Sequence, residues 1–380
     1  MENFFATCPR GLEALLEEEL SAIGSKNLEK VPGGIHFDAD WRGCYAANLH
    51  SRIATRILWR VARGPYAAED DIYRLARETP WNRLFDPEQT IRVGVSAVKS
   101  PLKSLEFITL RIKDAVCDRF REDTGRRPSV DTRDADIRLR AFVDAGHCTL
   151  YVDTSGAPLH QRGLRRKTVD APIKENLAAG ILRLVGWRPG IPLYDPMCGS
   201  GTFLLEAAQI AVGLAPGASG RGFGFQCLKN FQPETWKVLL DSAQKQVKPV
   251  DFAQIYGSDI SPSAVRSTLA NLDRAGLLPV VSLKSADILE AGAPVETPGI
   301  LVANPPYGDR LSDLEELSAL YPRLAGAFKR RFAGWDCWLL TSDRRMPKLM
   351  RLVPGRKIPL FNGGIECRLY KFRMVAGSNR

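Results

Sequence analysis

The stretch that decides the fold is Ile191-Pro192-Leu193-Tyr194-Asp195-Pro196-Met197-Cys198-Gly199-Ser200-Gly201-Thr202. Its apolar beginning predicts a buried strand, its glycines predict a tight loop, and residues 203–212 predict a helix. Strand, glycine loop and helix are the opening unit of a doubly wound α/β fold. The glycines would let the backbone approach a ligand and would expose N–H groups at the helix N-terminus.

The chemistry of this loop favours S-adenosylmethionine over a dinucleotide or ATP. The loop is not G-x-G-x-x-G, and it lacks the Gly-Lys-Ser/Thr of a phosphate-binding loop. Asp195 at the end of the strand would repel a pyrophosphate, whereas a carboxylate suits the cationic amino-acid moiety of S-adenosylmethionine. A nicotinamide oxidoreductase is disfavoured for the same reason, and because no proton-transfer constellation lies nearby.

Three further predicted strands lead to polar side chains in the same way. Asp259 ends the second strand, where it can bind both hydroxyls of a ribose. Asp287 follows the third, placed to accept an adenine amino group, and Asn304 follows the fourth. One acid alone would more simply be a cap or a surface residue, but the ordered set predicts a cofactor site on one sheet edge. We predict cofactor contacts at Asp195, Pro196, Cys198, Gly199, Ser200, Gly201, Thr202, Asp259, Ile260, Asp287, Ile288 and Asn304.

The fourth strand ends in Asn304-Pro305-Pro306-Tyr307-Gly308, which predicts a rigid polar shelf. Two prolines stop the strand, and Pro305 holds Asn304 extended. The Asn304 Oδ1 and the Pro305 carbonyl could each accept one N–H of an exocyclic amino group, while Tyr307 stacks on the base. We therefore predict Asn304, Pro305, Pro306 and Tyr307 as catalytic. The alternative is a strand-ending turn with an exposed tyrosine, and the same shelf would also serve adenine N6, cytosine N4 or a glutamine amide.

The rest of the C-terminal half completes the predicted sheet. Residues 335–342 predict a fifth strand, and residues 356–361 and 365–372 predict a hairpin turning at Asn362-Gly363-Gly364. This hairpin would give a mostly parallel seven-stranded sheet its antiparallel strand. An insertion at residues 213–249 combines a glycine segment with aromatic residues. We expect its aromatics either to be exposed beside a substrate cleft or to pack against the sheet edge.

The first 155 residues predict a compact α+β module. Residues 11–23 show helical apolar spacing, residues 31–37 predict strand, turn and strand, and residues 137–143 and 148–153 predict a hairpin. A helix at 105–121 carries outward cations that could form a basic rim. RNA-backbone contact is predicted for a basic loop and a basic linker: Lys99, Lys103, Arg162, Arg165, Arg166 and Lys167. Solvated surface positions are the alternative for all of them.

Composition sets the remaining limits. The 380 residues are 44% hydrophobic and 25% charged, with a net charge of +10 that fits a polyanionic partner. No apolar run is long enough for a transmembrane helix, and the N-terminus does not resemble a secretory signal, so we expect a cytoplasmic protein. The eight cysteines form no C-x-x-C, which predicts reduced thiols and no metal site. A monomer is favoured, although the sequence does not fix the oligomeric state.

With these motifs in view, the chain resembles the THUMP-domain RNA methyltransferases, above all the bacterial large-subunit ribosomal RNA guanine-N2 methyltransferases, which are also described as N6-adenine-specific DNA methylases. The resemblance covers essentially the whole chain. It includes the helix at 11–20, segments 159–165 and 171–177, the Asp195–Thr202 loop, Gly257-Ser258-Asp259 and the 304–308 shelf.

The resemblance implies a class I, Rossmann-like methyltransferase domain behind a ferredoxin-like and THUMP module that binds structured RNA. We expect the divisions 1–62 (ferredoxin-like), 63–155 (THUMP), 156–190 (linker and lead-in helix) and 191–380 (methyltransferase). The implied reaction is methyl transfer from S-adenosylmethionine to guanine N2 in RNA, most specifically 23S rRNA.

Several alternatives stay open beside this expectation. They are adenine-N6 methylation of DNA or RNA, guanine-N2 methylation of tRNA, and a ribosome-assembly factor that binds the cofactor without catalysis. Some family members carry a second methyltransferase domain at the C-terminus. This chain ends at Arg380, so we expect any second modification to belong to another protein.

Overall fold

The computed structural model describes residues 1–163, 173–250, 253–305 and 311–375, and for residues 311–316 it describes the backbone only. The chain forms two compact units. The first contains Met1–Cys8, Leu16–Leu159 and Gly220–Asp241, and the second contains Pro9–Leu15, His160–Ser219 and Ser242–Arg380. Among the described residues, no helix combines the length and apolarity that a membrane crossing requires.

The first unit is built on a seven-stranded sheet of order β2-β3-β1-β4-β7-β6-β5. All neighbouring strands are antiparallel except β5 and β6, which run parallel. The predicted β6–β7 hairpin is confirmed, and the Asp144 carboxylate accepts the Gly146 and His147 N–H groups in its turn. The strands are β1 (Glu2–Thr7), β2 (Lys26–Val31), β3 (Gly34–Ala39), β4 (Arg56–Pro65), β5 (Ile91–Ala97), β6 (Ile137–Val143) and β7 (His147–Asp153).

Helices cover one face of this sheet. The first helices of the chain are α1 (Glu13–Ala22), α2 (Trp41–His50), α3 (Glu69–Glu78) and α4 (Leu105–Thr124). Strand β6 shows how the sequence divides the two faces, because Ile137, Leu139 and Ala141 are buried while the alternate positions Arg138 and Arg140 are only partly so. The apolar positions therefore meet the helices, and the other face of the sheet is polar.

The aromatic insertion does not behave as expected. Phe223 and Phe225 are buried, not exposed, and they belong to the first unit. The Phe225 ring packs 4.5 Å from Tyr45, and its N–H donates to the Thr154 carbonyl at 2.9 Å. Gly224 allows this close approach, because a Cβ there would lie 2.3 Å from the Asp153 carbonyl oxygen. The expectation of exposed aromatics was wrong because their partners lie far away in the sequence.

The second unit confirms the predicted α/β class, with a seven-stranded sheet of order β10-β9-β8-β11-β12-β14-β13. Strands β8 to β12 are parallel, while β14 runs antiparallel to both β12 and β13, as predicted for the hairpin. The strands are β8 (Leu193–Asp195), β9 (Ile255–Asp259), β10 (Val281–Ser285), β11 (Ile300–Ala303), β12 (Asp336–Thr341), β13 (Arg356–Asn362) and β14 (Ile365–Arg373).

Helices accompany the parallel strands of this sheet. They are α5 (Glu175–Leu184), α6 (Thr202–Ala211), α8 (Pro262–Arg274), α9 (Leu311–Arg331) and α10 (Met346–Met350), whereas most of α7 (Pro233–Lys245) belongs to the first unit. Strand β11 is buried along its whole length, as expected for a central parallel strand. Its Leu301 belongs to a core with Tyr321, Phe328, Trp335 and Leu339, all essentially inaccessible to solvent.

Candidate active site

Three neighbouring strands bring polar side chains to one edge of the second sheet. Strand β8 lies between β9 and β11, and all three run parallel. Asp195 ends β8, Asp259 ends β9 and Asn304 follows β11, so their carboxyl ends share an edge. The strand order also changes direction at the β8–β11 boundary. Open α/β sheets bind ligands at such a switch point, outside the carboxyl ends of the strands.

The glycine loop is held against β9 and α8. The Gly199 N–H donates to Asp259 Oδ2 at 2.9 Å, and Thr268 Oγ1 donates to the Gly199 carbonyl at 2.9 Å. Gly201 caps α6 with a φ of 82°, and a Cβ there would lie 2.5 Å from Thr268 Cγ2. Glycine is therefore required at this position both by backbone conformation and by space.

Helix α8 supplies two loop contacts that the sequence analysis did not anticipate. Beside Thr268, Asn271 donates from Nδ2 to the Ser200 carbonyl at 3.1 Å. Both side chains are buried. Polar side chains are seldom buried unless they are hydrogen-bonded, and these two are hydrogen-bonded to the loop. Their spacing of three residues puts them on one helix face. That spacing in the helix after Asp259 was the signal available in the sequence.

Asp195 is a buried carboxyl group with an unusual proton affinity. Its side chain accepts the Met197 N–H at 3.2 Å, and the residue is 2% exposed. Burial raises the pKa of Asp195 to about 8, although the Met197 N–H opposes the rise and the charge of Asp259 adds to it. The ionised form therefore needs a cation nearby, as the predicted contact with an ammonium group would provide.

Asp259 is oriented by the backbone on both sides. Its Oδ2 accepts the Gly199 N–H, and its Oδ1 accepts the Ser261 N–H at 2.9 Å. Each carboxylate oxygen keeps a further lone pair for a ligand hydroxyl. Ile260 follows directly and is 68% exposed, which places an uncovered apolar side chain next to the carboxylate.

The remaining predicted cofactor contacts differ in what they expose. Just beyond β10, the Asp287 carboxylate accepts the Leu289 N–H at 2.9 Å. The Ile288 side chain is buried in the core, so only the backbone of Ile288 could contact a ligand. Pro196, Ser200 and Thr202 are buried in or beside the loop. Cys198 lies 3.8 Å from Thr268 Oγ1, and burial raises the pKa of its thiol. The neutral thiol is a packing group, not a nucleophile.

The shelf after β11 is described as far as its second residue. Asn304 is half-buried and Pro305 is buried at the end of the strand. Pro306 and Tyr307 lie outside the described residues. Asn304 thus follows the carboxyl end of β11, and Asp195 ends the neighbouring parallel strand β8. The grip of Asn304 and the Pro305 carbonyl on an amino group stays a prediction.

The predicted RNA contacts fall into three groups. Lys99 and Lys103 are exposed in the loop between β5 and α4. Arg162 is 2% exposed, and its Nε lies 3.2 Å from the buried Glu206 carboxylate, so this guanidinium has a structural partner inside the second unit. Arg165, Arg166 and Lys167 lie outside the described residues.

Sheet order, glycine loop and acidic strand ends together define a class I, Rossmann-like methyltransferase fold, here in one chain with a separate α+β unit. The family of RMKL-like methyltransferase domains matches residues 162–371, the THUMP domain matches 66–153, and the RlmL ferredoxin-like domain matches 3–58. The chain belongs to this RMKL-like methyltransferase family.

Individual relatives agree with that assignment. A ribosomal RNA large subunit methyltransferase K/L of Methylococcus capsulatus is 38% identical over 97% of this chain and 51% of its own length. A candidate RNA methyltransferase of Synechocystis is 34% identical over 98% of this chain and 96% of its own. A candidate methyltransferase crystallised with SAH superposes with a TM-score of 0.87 at 27% identity, covering 98% of both chains. The chain spans about half the length of the K/L relatives that it matches.

Proposed function

We propose that this protein transfers a methyl group from S-adenosylmethionine to the exocyclic N2 of a guanine in RNA, with 23S rRNA as the substrate. The observation that carries the proposal is the placement of Asp195, Asp259 and Asn304 on three adjacent strand ends at the switch point of the sheet. The names of the K/L relatives support ribosomal RNA, and the THUMP match supports RNA over DNA.

The residues present fit S-adenosylmethionine. The raised pKa of Asp195 suits an ammonium group, which would hold the carboxylate ionised. Asp259 would accept the ribose hydroxyls, the exposed Ile260 would pack on the adenine, and Asp287 would accept its amino group. The loop from Pro196 to Thr202 would contact the remainder through its backbone. When bound, the cofactor supplies a sulfonium-activated methyl group.

The chain's own contribution to the reaction is orientation. Asn304 Oδ1 and the Pro305 carbonyl would accept the two N–H bonds of the guanine amino group and so aim its lone pair. Pro306 would stiffen this arrangement and Tyr307 would stack on the base. The base must leave its stack to reach the strand end. No covalent intermediate is required, which agrees with the neutral, buried Cys198 thiol.

The other parts of the proposal concern the surroundings of the site. RNA-backbone contacts are proposed for Lys99, Lys103, Arg165, Arg166 and Lys167. We also propose a cytoplasmic, monomeric protein whose parts are 1–62, 63–155, 156–190 and 191–380. Residues 220–241 fall within the proposed 191–380 part but belong to the first compact unit, so the division along the sequence and the compact units differ there.

The test is methylation of unmodified 23S rRNA with labelled S-adenosylmethionine, followed by mapping of the modified nucleoside. We expect N2-methylguanine at a defined position. N6-methyladenine, or turnover on tRNA alone, would assign the same site to another substrate. Absence of turnover on free rRNA and on assembly intermediates would favour the cofactor-binding assembly factor.

The variant Asn304→Ala tests the role of the shelf. We expect at least a hundredfold loss of kcat, with the affinity for S-adenosylmethionine changed less than about threefold, because an orienting group acts on the transition state. Titration calorimetry of the variant with the cofactor is the control for the fold of the site. Near-full turnover by this variant would refute the mechanism while leaving the activity itself intact.

A further inference from the structure

The polar face of the first sheet carries an unusual concentration of arginine. Strand pairing places the side chains on β4, β7, β6 and β5 that point away from the helices on one surface. We call this surface the arginine face. Its charged members are six arginines and one carboxylate: Arg56, Arg60, Arg63, Arg92, Arg138, Arg140 and Asp153.

Like charges are neighbours across these strands. Arg92 pairs in register with Arg138, and Arg140 and Arg60 lie on either side of Tyr151. Like charges placed directly opposite each other destabilise a sheet. The stability of the fold therefore does not account for this pattern.

The single carboxylate is already committed. Asp153 is 1% exposed, forms an ion pair with Arg56, and has its Oδ2 3.8 Å from Arg140 Nε. Burial lowers the pKa of Arg140, and the charge of Arg56 lowers it further, with Asp153 opposing. Arg63 and Arg92 are exposed, and the ion pairs found within the described residues include neither of them. The face therefore keeps an excess of positive charge.

The helix side of the same unit shows the opposite pattern. On α4, Arg119 lies 2.8 Å from Asp123, Arg121 lies 2.9 Å from Asp118, and Arg111 forms an ion pair with Asp70. The basic rim expected there from the sequence is thus locally neutralised. On the arginine face, by contrast, the four strands carry six arginines and one carboxylate, and the nearby Asp134, 3.5 Å from Arg138, offsets only part of this excess.

Aromatic side chains accompany the arginines. Phe142 is 37% exposed and lines a shallow cavity of about 350 Å³ together with Arg60 and Arg63. The carboxylates of Glu29, Asp38 and Asp144 line the same cavity and balance part of its positive charge. Aromatic rings on an arginine-rich sheet stack unpaired bases while the cations contact the phosphates.

The basic loop predicted from the sequence adjoins this surface. Phe142 and Ser96 are neighbours in register at the end of β6 and β5, and the Val98 N–H donates to the Val143 carbonyl at 3.0 Å. The chain then continues through Lys99 and Lys103. The two lysines therefore extend the positive surface at the end of the sheet that carries Phe142.

We propose that the arginine face binds a single-stranded segment of the RNA substrate, with phosphates on its arginines and a base stacked on Phe142. The inference rests on the proposed function in taking RNA as the substrate. It adds a surface of the first unit to the contacts at the strand ends of the second.

The first test removes two exposed cations from the face in the full chain, as Arg63→Ala/Arg92→Ala. The matched control, Arg74→Ala/Arg126→Ala, removes the same charge from side chains that are 68% and 71% exposed and already paired with Asp71 and Glu88. Binding of a labelled single-stranded RNA of about 12 nucleotides is followed by fluorescence anisotropy across a salt series. We expect about tenfold weaker binding and a salt slope smaller by about 1.4 for the face variant, with the control within about twofold of wild type.

Equal weakening by the two double variants would overturn the proposal, because it would then reflect net charge alone. The variant Phe142→Ala tests stacking separately. We expect at least fivefold weaker binding of single-stranded RNA and unchanged binding of a duplex of equal length. An equal loss on both RNAs would also contradict the proposal.

Failure of this inference is distinguishable from failure of the proposed function. A wild-type chain that binds and methylates no RNA refutes the function. A wild-type chain that methylates rRNA, with unchanged kcat and KM in Arg63→Ala/Arg92→Ala, refutes the arginine face only. Thermal unfolding of each variant, expected within about 2 °C of wild type because the altered side chains are exposed, excludes misfolding as the cause.

Discussion

At the scale of single residues, the buried carboxyl group of Asp195 lowers the stability of the fold, while we propose that the same group binds the cofactor. An aspartate whose pKa is higher in the folded than in the unfolded chain destabilises the fold at every pH above the unfolded value. The loss grows as the pH rises toward the folded value of about 8 and then levels off. In the proposed complex, the ammonium group of the ligand would bring a positive charge to Asp195 and offset this cost.

The variant Asp195→Asn should separate these two effects. At pH 8 we expect the ligand-free variant to melt about 2–5 °C above wild type, because the buried charge is gone, and this gain should disappear near pH 4. Its affinity for S-adenosylmethionine should fall at least tenfold. For wild type, that affinity should weaken as the pH drops below about 8. Differential scanning fluorimetry and calorimetry measure the two quantities.

A variant that is less stable than wild type at pH 8 would contradict the buried-charge argument. A variant with unchanged cofactor affinity would instead remove Asp195 from the binding site. The substitution keeps the size of the side chain and can still accept the Met197 N–H through its amide oxygen, so packing is a minor contribution to either result.

At the scale of elements, the packing of α6 against α8 depends on Gly201. Replacing it by alanine forces an L-residue to a φ of 82° and also drives a Cβ to 2.5 Å from Thr268 Cγ2. We expect Gly201→Ala to lower the free energy of unfolding by about 2–4 kcal/mol. Gly186 provides the matched control, since its φ is 79° and a Cβ there would meet nothing within 4 Å.

In urea unfolding, we expect Gly186→Ala to lower the free energy of unfolding by about 1 kcal/mol through backbone conformation alone. The additional loss in Gly201→Ala then measures the steric clash with Thr268. Adding Thr268→Ser to Gly201→Ala removes the clashing methyl group but keeps the hydroxyl that bonds the Gly199 carbonyl. This second change should recover part of the loss. If both glycine variants lose the same stability, the close approach of α8 is not what requires glycine.

The elements that the sequence predicted are those with a strong local period. The hairpin of β13 and β14, the parallel strands ending at Asp195 and Asp259, and the α4 helix all follow from apolar spacing and glycine turns. Strand β1 was not predicted, because adjacent Phe4 and Phe5 break the alternation, yet Phe4 faces the helices and Phe5 the polar side. The arginines of β6 were recognised as strand residues, but their shared face depends on strand pairing, which no local pattern specifies.

At the scale of the whole molecule, the chain leaves the second unit at residue 219 and returns to it after residue 241. Residues 220–241 contribute to the core of the first unit. The rings of the buried Phe223 and Phe225 pack 5.1 Å apart, and the Phe225 ring packs against Tyr45. Burying two such side chains contributes roughly 3–6 kcal/mol. That amount is comparable with the whole stability of an ordinary domain.

A chain of residues 1–159 should therefore fail to fold cooperatively, although it contains every strand of the first sheet. Joining residues 220–241 to it through a short flexible linker should restore a sharp urea transition, since Arg221 Nη1 already lies 3.1 Å from the Pro158 carbonyl oxygen. The joined chain carrying Phe225→Ala is the control, and it should again lose most of that stability because a cavity opens beside Tyr45. Equal stability of the chains with and without the segment would show that it is an accessory to a unit already complete. The expected loss would instead mean that the first unit depends on a segment inserted in the methyltransferase part of the chain, so that the two units cannot be separated by a single cut in the sequence.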